Sequence, residues 1–270
     1  MPEKKSEKKW CPADYDNQSV LQYRTAMNML STFPLNGNER ILDIGCGSGK
    51  ISNTISTLVP MGSVVGLDRN TEMIQFASNT YGQASSNLSF VCQDITEMSY
   101  SNEFDAVVSF WTLSWIPMEL QAKALENIIE SLAENGRLLL MYPMRHDAYD
   151  VVEQVIKKPE WKDYFIDYPP PREFITEERY RSDIISHMPI ELHVEKKEIP
   201  CQYTDDREMR LSINCWLSHV DNIPSELKES FLVDVAESYK RHRGILEPTM
   251  YYSTLEITGE KPAPRYRPGF

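Results

Sequence analysis

The stretch ILDIGCGSGK, residues 41–50, sets three glycines at alternate positions directly after a short apolar run. A glycine-rich turn between a strand and a helix lets the backbone approach a ligand closely, and the free amides at the helix start favour a negative group. A dinucleotide-binding turn spaces its glycines GxGxxG. Here Gly45, Gly47 and Gly49 give GxGxG, and Lys50 stands where the third glycine of the dinucleotide pattern belongs. Asp43 precedes the loop by two residues. A carboxylate so near the turn repels a pyrophosphate and suits a ligand that carries an ammonium and a sulfonium. The plainer alternative is a tight turn that only closes a sheet, with Asp43 satisfied by backbone amides.

Two further acids recur at the same kind of place. Asp68 closes the run SVVGLD (63–68), where a carboxylate accepts hydrogen bonds from two ribose hydroxyls; capping a helix that begins near Asn70 suits the same position. Asp94 closes LSFVCQD (88–94), where it takes the exocyclic amine of an adenine beside the apolar face of Ile95, or merely forms a turn. Three acids at three successive strand ends, one of them behind a GxGxG loop, point to S-adenosylmethionine as the ligand.

The surrounding chain supplies the frame for such a site. Apolar runs at 40–45, 63–68, 88–94, 104–110 and 136–143 alternate with helix-patterned stretches at Lys50–Val59, Thr71–Tyr81 and Glu119–Ala133. The last of these sets Leu120, Ala124, Ile128 and Leu132 on one face, and Pro60 and Gly136 punctuate helix ends. The pattern predicts an α/β, doubly wound Rossmann-like sheet. After Pro143 the rhythm changes. Residues 147–187 read as helical with an interruption at YPPPREF, 190–203 alternate as a strand, 208–243 read as helices with NIPSE as turn and N-cap, and 250–261 alternate again. The two late strands fit an antiparallel addition to a seven-stranded, mostly parallel sheet. The chain therefore reads as a single domain: an N-terminal helical lid (1–35), a cofactor-binding core (36–145), and substrate-capping helices with the last two strands (146–270).

Composition narrows the class. A chain of 270 residues with 41% hydrophobic and 25% charged residues buries a sizeable core. Its formal charge of -12 argues against nucleic acid or an anionic membrane as partner, and the lysine-rich start EKKSEKKW is diluted by glutamates and reads as a solvated tail. The tail KPAPRYRPGF holds no regular pattern. Five scattered cysteines without a CxxC pair suit free thiols in a reducing compartment, and five histidines without HExxH or HxH spacing offer no metal site. No apolar run is long enough for a signal peptide or a bilayer span. These features lead us to expect a soluble, cytoplasmic monomer or weak homodimer.

The elements ILDIGCGSGK, VVGLD, VCQD and FDAVVSFWTLSWI, across residues 40–145, resemble the class I S-adenosylmethionine-dependent methyltransferases. Within that superfamily, FDAVVSFWTLSWI, LAENGRLLLMYP and the upstream YDNQSVLQ are similar to trans-aconitate methyltransferases and juvenile hormone acid methyltransferases, which methylate carboxylates of small molecules. Trans-aconitate enzymes usually carry His-Trp where this chain has Ser114-Trp115. The resemblance implies cofactor contacts from Asp43, Gly45, Cys46, Gly47, Gly49, Asp68, Arg69, Asp94, Ile95, Ser109 and Phe110. It also implies that Gln18 and Trp115 grip the acceptor carboxylate together.

The chemistry is consistent with that assignment. A carboxylate is ionised at neutral pH, so methyl transfer to it needs oriented donors and no general base. Trp115 offers an indole N–H and Gln18 an amide, although a buried apolar plug and a solvated helix residue describe them equally well. Tyr15, Gln22 and Tyr23 share the Gln18 neighbourhood, and Trp111 lies beside the cofactor path or in the core. Arg145, His146, Arg172, Arg179 and Trp216 are candidates for the rest of the acceptor, against a default of surface ion pairs and packing. The aromatic residues of this half, among them Tyr164, Phe165, Tyr168, Phe174, Tyr180, Tyr203, Tyr251 and Tyr252, suit an apolar acid or simply a core. Methyl transfer to nitrogen, carbon or a protein, and a non-catalytic S-adenosylmethionine-binding role, are the competing readings.

Overall fold

Five short apolar runs become the parallel part of one sheet because each is bracketed by turn residues, the central strands β1 and β4 being buried almost throughout and the edge strand β3 only at Leu88. The structure is a computed structural model that describes residues 11–83, 85–168 and 174–263. Its elements in chain order are α1 (Pro12–Gln18), α2 (Val20–Ser31), β1 (Arg40–Ile44), α3 (Lys50–Leu58), β2 (Ser63–Asp68), α4 (Thr71–Ala77), β3 (Leu88–Cys92), β4 (Phe104–Ser109), α5 (Met118–Ser131) and β5 (Leu132–Pro143). Then come α6 (Ala148–Val155), α7 (Glu177–Asp183), β6 (Leu192–Gln202), α8 (Asp206–Trp216), α9 (Lys228–Arg243) and β7 (Thr249–Glu260). The sheet order is β3-β2-β1-β4-β5-β7-β6, with β7 antiparallel to β5. The seven-stranded, doubly wound sheet is thus as the alternation predicts.

The strand order reverses between β1 and β4, which run parallel with Ile41 opposite Ala106 and Asp43 opposite Val108. In open α/β sheets the crevice beyond the carboxyl ends at such a reversal is where ligands bind. At the opposite end of this pair, Arg40 clamps Asp105 through Nε at 3.0 Å and a terminal nitrogen at 2.8 Å, and its own backbone N–H donates to the same carboxylate at 2.9 Å. That clamp fixes the register from which both loops spring.

Several element ends differ from the sequence reading. The helix expected at 119–133 spans Met118–Ser131, and the strand expected from 136 begins at Leu132. A bulge explains both: Phe104 pairs with Leu132 but Ala106 with Arg137, Asn135 takes a φ of 60°, and a Cβ on Gly136 would lie 2.9 Å from the Phe104 carbonyl oxygen. Leu120 is exposed, and Gln121 is buried in its stead, donating to the Leu113 and Ile116 carbonyls at 2.6 and 2.9 Å. The helix expected to Tyr81 is α-helical only to Ala77 and continues as a π-turn, Ser78–Gly82. The third strand ends at Cys92, so Asp94 lies in the following loop. The NIPSE segment turns the chain but does not cap α9, whose N-cap is Leu227.

By its contacts the chain divides into two units: Gln22–Pro143, Thr176–Lys197 and Thr254–Phe270 form one, which we call the core unit, and Met1–Leu21, Met144–Ile175 and Glu198–Ser253 form the second. The core unit buries Ile41, Leu42, Ile55, Val107, Leu125, Ile128 and Leu140 completely; the second unit buries Val152, Met209, Phe231 and Tyr239 likewise. All five cysteines are free thiols, with Cys46, Cys201 and Cys215 buried. Among the described residues no helix is long and apolar enough to cross a membrane. The start EKKSEKKW, the end of the C-terminal tail and Arg172 within the proline cluster lie outside the described residues.

Candidate functional site

The glycine loop turns only because its three glycines adopt left-handed backbone, with φ of 71° at Gly45, 54° at Gly47 and 85° at Gly49. Space is as restrictive as torsion. A Cβ on Gly45 would lie 2.0 Å from Thr112 Oγ1, and one on Gly49 would lie 2.7 Å from the Phe90 ring. Gly49 is also the N-cap of α3 and provides no side-chain cap, so the positive end of that helix opens directly off the loop.

Asp43 and Asp68 supply the charge. Asp43 is 2% exposed and accepts a hydrogen bond from Ser52 Oγ at 2.6 Å, so a side chain of α3 takes the role the sequence left to backbone amides. Burial pushes its carboxyl up to about 7, and the neighbouring Asp68 carboxylate adds to the rise. Asp68 closes β2; its Oδ2 accepts the Gly47 N–H at 3.0 Å and its Oδ1 the Asn70 N–H at 2.8 Å. Burial raises this carboxyl too, against the backbone amides and the exposed Arg69, which lower it. Helix α4 is capped by Asn70, which accepts from the amides of Glu72 and Met73, so Asp68 is not its cap. Each Asp68 oxygen retains a lone pair for an incoming hydroxyl. The Cys46 thiol is buried and held neutral by that burial and by both carboxylates.

Beyond β3, Asp94 is half-buried and folds an Asx-turn with its Oδ1, accepting from the Thr96 backbone at 2.8 Å and hydroxyl at 2.7 Å. Asn127 Nδ2 holds the Ile95 carbonyl at 2.8 Å, which fixes the buried Ile95 side chain. Ser109 and Phe110 sit at the carboxyl end of β4, but Ser109 is wholly buried and donates to the Ile44 carbonyl at 2.9 Å, so it ties β4 to β1.

The loop after β4 holds the feature the sequence conceals. Trp111 has a φ of 62°, a conformation costly for a bulky residue. Its indole Nε1 donates to Thr25 Oγ1 at 2.7 Å, and Thr112 Oγ1 donates to the Gly45 carbonyl at 3.3 Å. Helix α2 is drawn to the same edge: Tyr23 Oη lies 3.3 Å from Thr54 Oγ1, and the Lys50 ammonium lies 5.6 Å from the Tyr23 ring centre. One turn before Thr25, Gln22 is 6% exposed and its Oε1 has no hydrogen-bond partner. Trp115 follows in a 3₁₀ turn, half-buried. Gln18 is the half-buried last residue of α1, in the second unit. The pattern YDNQSVLQ contains both amides, and only burial distinguishes them.

The other candidates separate by unit. Arg179 pairs with Asp183 on the surface of α7, and Tyr180 is a core residue packed 4.3 Å from the Tyr142 ring. In the second unit, Arg145 is paired with Asp150 and Glu153, while the rings of His146 and Trp216 meet at 5.1 Å.

The donor set fits S-adenosylmethionine: a backbone cradle that tolerates no Cβ at Gly45 or Gly49, a buried carboxylate at Asp43 and a half-buried one at Asp68 for a cation and a diol, and an apolar wall at Ile95. Comparison with known proteins agrees. A family model described as a methyltransferase domain matches residues 35–180. A protein of Invertebrate iridescent virus 6 that carries the name methyltransferase 235L is 28% identical over 257 residues, 93% of this chain and 92% of that one. The juvenile hormone acid O-methyltransferase of Drosophila melanogaster is 27% identical, over 73% of this chain and 70% of its own. Trans-aconitate 2-methyltransferase of Streptomyces avermitilis is 26% identical, over 58% and 60% respectively. The fold matches that of Haemonchus contortus phosphoethanolamine N-methyltransferase 2 solved with S-adenosyl-L-methionine, with a TM-score of 0.60 at 16% identity, over 93% of this chain and 57% of that one.

Proposed function

Since this chain belongs to the methyltransferase-domain family and is an S-adenosylmethionine-dependent methyltransferase, we propose that it esterifies the carboxylate of a small-molecule acid. The cofactor, when bound, supplies an electrophilic methyl on sulfur. An acceptor carboxylate oxygen would form the new C–O bond as the C–S bond leaves its electron pair on sulfur, with no proton released. The chain's own part is to bind and orient. Asp68 would take the ribose hydroxyls, the glycine-loop amides and the start of α3 would take the cofactor carboxylate, and Asp43 would balance the cationic end.

The observation that carries the choice of acceptor is the pairing of neutral donors with a cofactor-binding stretch that offers no histidine as base. Trp115 carries an indole N–H, and the buried Gln22 Oε1 lacks a hydrogen-bond partner. A half-turn of that amide offers its NH₂ instead. No histidine occurs between residues 40 and 145. An ionised acid needs such donors and nothing to deprotonate it, whereas a phenol or ammonium acceptor needs a base. The names of the juvenile hormone acid and trans-aconitate relatives support the same class of acceptor. Gln18 keeps the role the resemblance implies, and variants at both amides sort the two.

The test is S-adenosylhomocysteine release against a panel of acids, amines and phenols. Trp115→Phe keeps the bulk but removes the donor. It should lower kcat/KM for the best acid by about tenfold or more with cofactor affinity unchanged, since a hydrogen bond to a charged group is worth roughly 1.5–3 kcal/mol. Gln22→Leu and Gln18→Leu should show a similar loss at whichever amide serves. With cofactor saturating, the rate should be nearly flat from about pH 6 to 8. A tenfold rise per pH unit, or full activity in Trp115→Phe, would sink the carboxylate assignment.

A further inference from the structure

Residues 22–31 of α2 are fastened to both lips of the crevice that opens where the strand order reverses. One lip is the glycine loop with the start of α3, and there Tyr23 Oη meets Thr54 Oγ1 at 3.3 Å while the Lys50 ammonium lies over the Tyr23 ring. The other lip is the loop after β4, where Thr25 Oγ1 receives the Trp111 indole N–H at 2.7 Å. Positions two apart fall on opposite sides of a helix, so α2 is seated between the lips. Thr25 is 5% exposed and its hydroxyl is used in both senses, accepting from Trp111 and donating its own proton to the Gln22 carbonyl at 3.1 Å.

The indole bond matters because of the backbone it holds. A bulky residue at a φ of 62° is strained, and such a conformation persists only where its surroundings enforce it. Here the left-handed turn sends the Trp111 ring to α2 and returns the next residue to the glycine loop. Thr112 Oγ1 lies 3.3 Å from the Gly45 carbonyl oxygen and 3.2 Å from that of Phe110, and it fills the space into which a Cβ on Gly45 would project. Downstream the loop is held separately, by Gln121 on the Leu113 and Ile116 carbonyls. The indole thus joins α2 to the residue that packs against Gly45. One turn before Thr25, the buried Gln22 Oε1 has no hydrogen-bond partner. An unpaired buried acceptor at the edge of a ligand crevice marks a surface that a bound group completes.

We propose that Trp111 is a positioning residue for the cofactor: held by Thr25, its indole seats Thr112 on Gly45 and so shapes the glycine loop for the amino-acid end of S-adenosylmethionine. The inference rests on the cofactor reading of the loop and is independent of the methyl acceptor.

Two ligands separate this role from plain support of the fold. S-adenosylhomocysteine carries the amino-acid end, whereas methylthioadenosine keeps the nucleoside and the thioether without it. Each is titrated calorimetrically into the full chain and its variants, and melting temperatures are recorded alongside. Trp111→Phe, which keeps a ring but removes the N–H, should weaken S-adenosylhomocysteine by about fivefold to tenfold, the worth of one neutral hydrogen bond. Methylthioadenosine affinity should stay within about twofold. Thr25→Val should reproduce both results, and Thr25→Ser, which retains the hydroxyl, should bind both ligands as the unaltered chain does. Trp111→Phe combined with Thr25→Val should lose no more than either change alone, since both remove the same bond. Hydrogen exchange of the amides in 41–50 should rise in Trp111→Phe and Thr25→Val and not in Thr25→Ser. Unchanged S-adenosylhomocysteine affinity in Trp111→Phe, additive losses in the double variant, or equal losses for the two ligands would overturn this inference alone. Failure of the unaltered chain to bind S-adenosylhomocysteine would overturn it together with the cofactor reading beneath it.

Discussion

The core unit and the second unit use side chains in opposite ways. In the core unit the binding edge is mostly backbone: three left-handed glycines, amides held by Asp68, and carbonyls tied by Ser109 and Thr112. In the second unit the corresponding feature is a cluster of side-chain rings, set on loop, helix and strand backbone without left-handed turns at the ring positions. A backbone site accepts no added atoms, because a main chain cannot swing aside; a side-chain site accepts many substitutions and changes its ligand instead. The first arrangement suits a fixed cofactor.

Glycine substitution is the strongest way to break that contrast. Gly45→Ala would drive a Cβ to 2.0 Å from Thr112 Oγ1 at a φ of 71°, whereas Gly244, at a φ of 66° in the second unit, has nothing within 4 Å of its Cβ position. Gly45→Ala should cost about 3 kcal/mol or more in stability and remove measurable S-adenosylhomocysteine binding. Gly244→Ala should cost only about 1 kcal/mol, the left-handed penalty alone, and leave binding intact. Thermal melts and calorimetric titration of both variants check this. Equal losses would mean that the loop is no more constrained than a helix C-cap.

Removal of a carboxylate comes next in size. Asp68→Ala loses two backbone acceptor contacts as well as any to the cofactor, and should weaken S-adenosylhomocysteine binding by about tenfold to 100-fold, the worth of one charge-assisted hydrogen bond. Asp234 is likewise a bonded carboxylate in the second unit, taking Trp161 Nε1 at 2.8 Å, Ser238 Oγ at 3.3 Å and the Lys158 ammonium. Asp234→Ala should lower the melting temperature and leave cofactor affinity alone. An unchanged dissociation constant in Asp68→Ala would reduce that residue to a support for the loop.

The contrast also explains what the sequence revealed. Glycine spacing and strand-end acids are local, so Gly45, Gly47, Gly49, Asp43 and Asp68 were legible, as was the alternation that builds the sheet. Features made by tertiary contact were not. The Trp111 conformation depends on Thr25, 86 positions away, and the bulge at Gly136 on the Phe104 carbonyl. The choice between Gln18 and Gln22 turns on burial, since α2 carries both polar and apolar residues around its girth. Asn70 gave a partial signal as a standard N-cap residue, but the preceding Asp68 competed for that role on spacing alone. In the second unit, His146 from the loop before α6, Trp216 from α8 and Tyr252 from β7 come together, and no window of sequence holds that pattern.

The smallest expected effect is on pH dependence, and it tests whether Asp43 senses the bound cation. Its carboxyl is raised to about 7 by burial first and by Asp68 second, and the groups facing it are Asp68 on β2, the neutral Cys46 thiol in the loop and the Ser52 hydroxyl on α3. A folded value above the unfolded one means that folding takes up a proton, so this residue's contribution to stability falls as pH rises from about 4 to about 7. Binding runs the other way. A ligand ammonium favours the carboxylate, so the complex releases a proton below about pH 7, and affinity should rise with pH up to that point and level off above it. S-adenosylhomocysteine should therefore bind about fivefold to tenfold more weakly at pH 6 than at pH 8. Asp43→Asn should bind more weakly at pH 8 and lose most of this slope, with the raised Asp68 carboxyl leaving a residue at the acid end. Calorimetry in two buffers of different ionisation enthalpy counts the proton directly. A flat affinity profile, with no proton released at pH 6.5, would show that Asp43 is ionised before the ligand arrives and serves only to hold Ser52 and the start of α3.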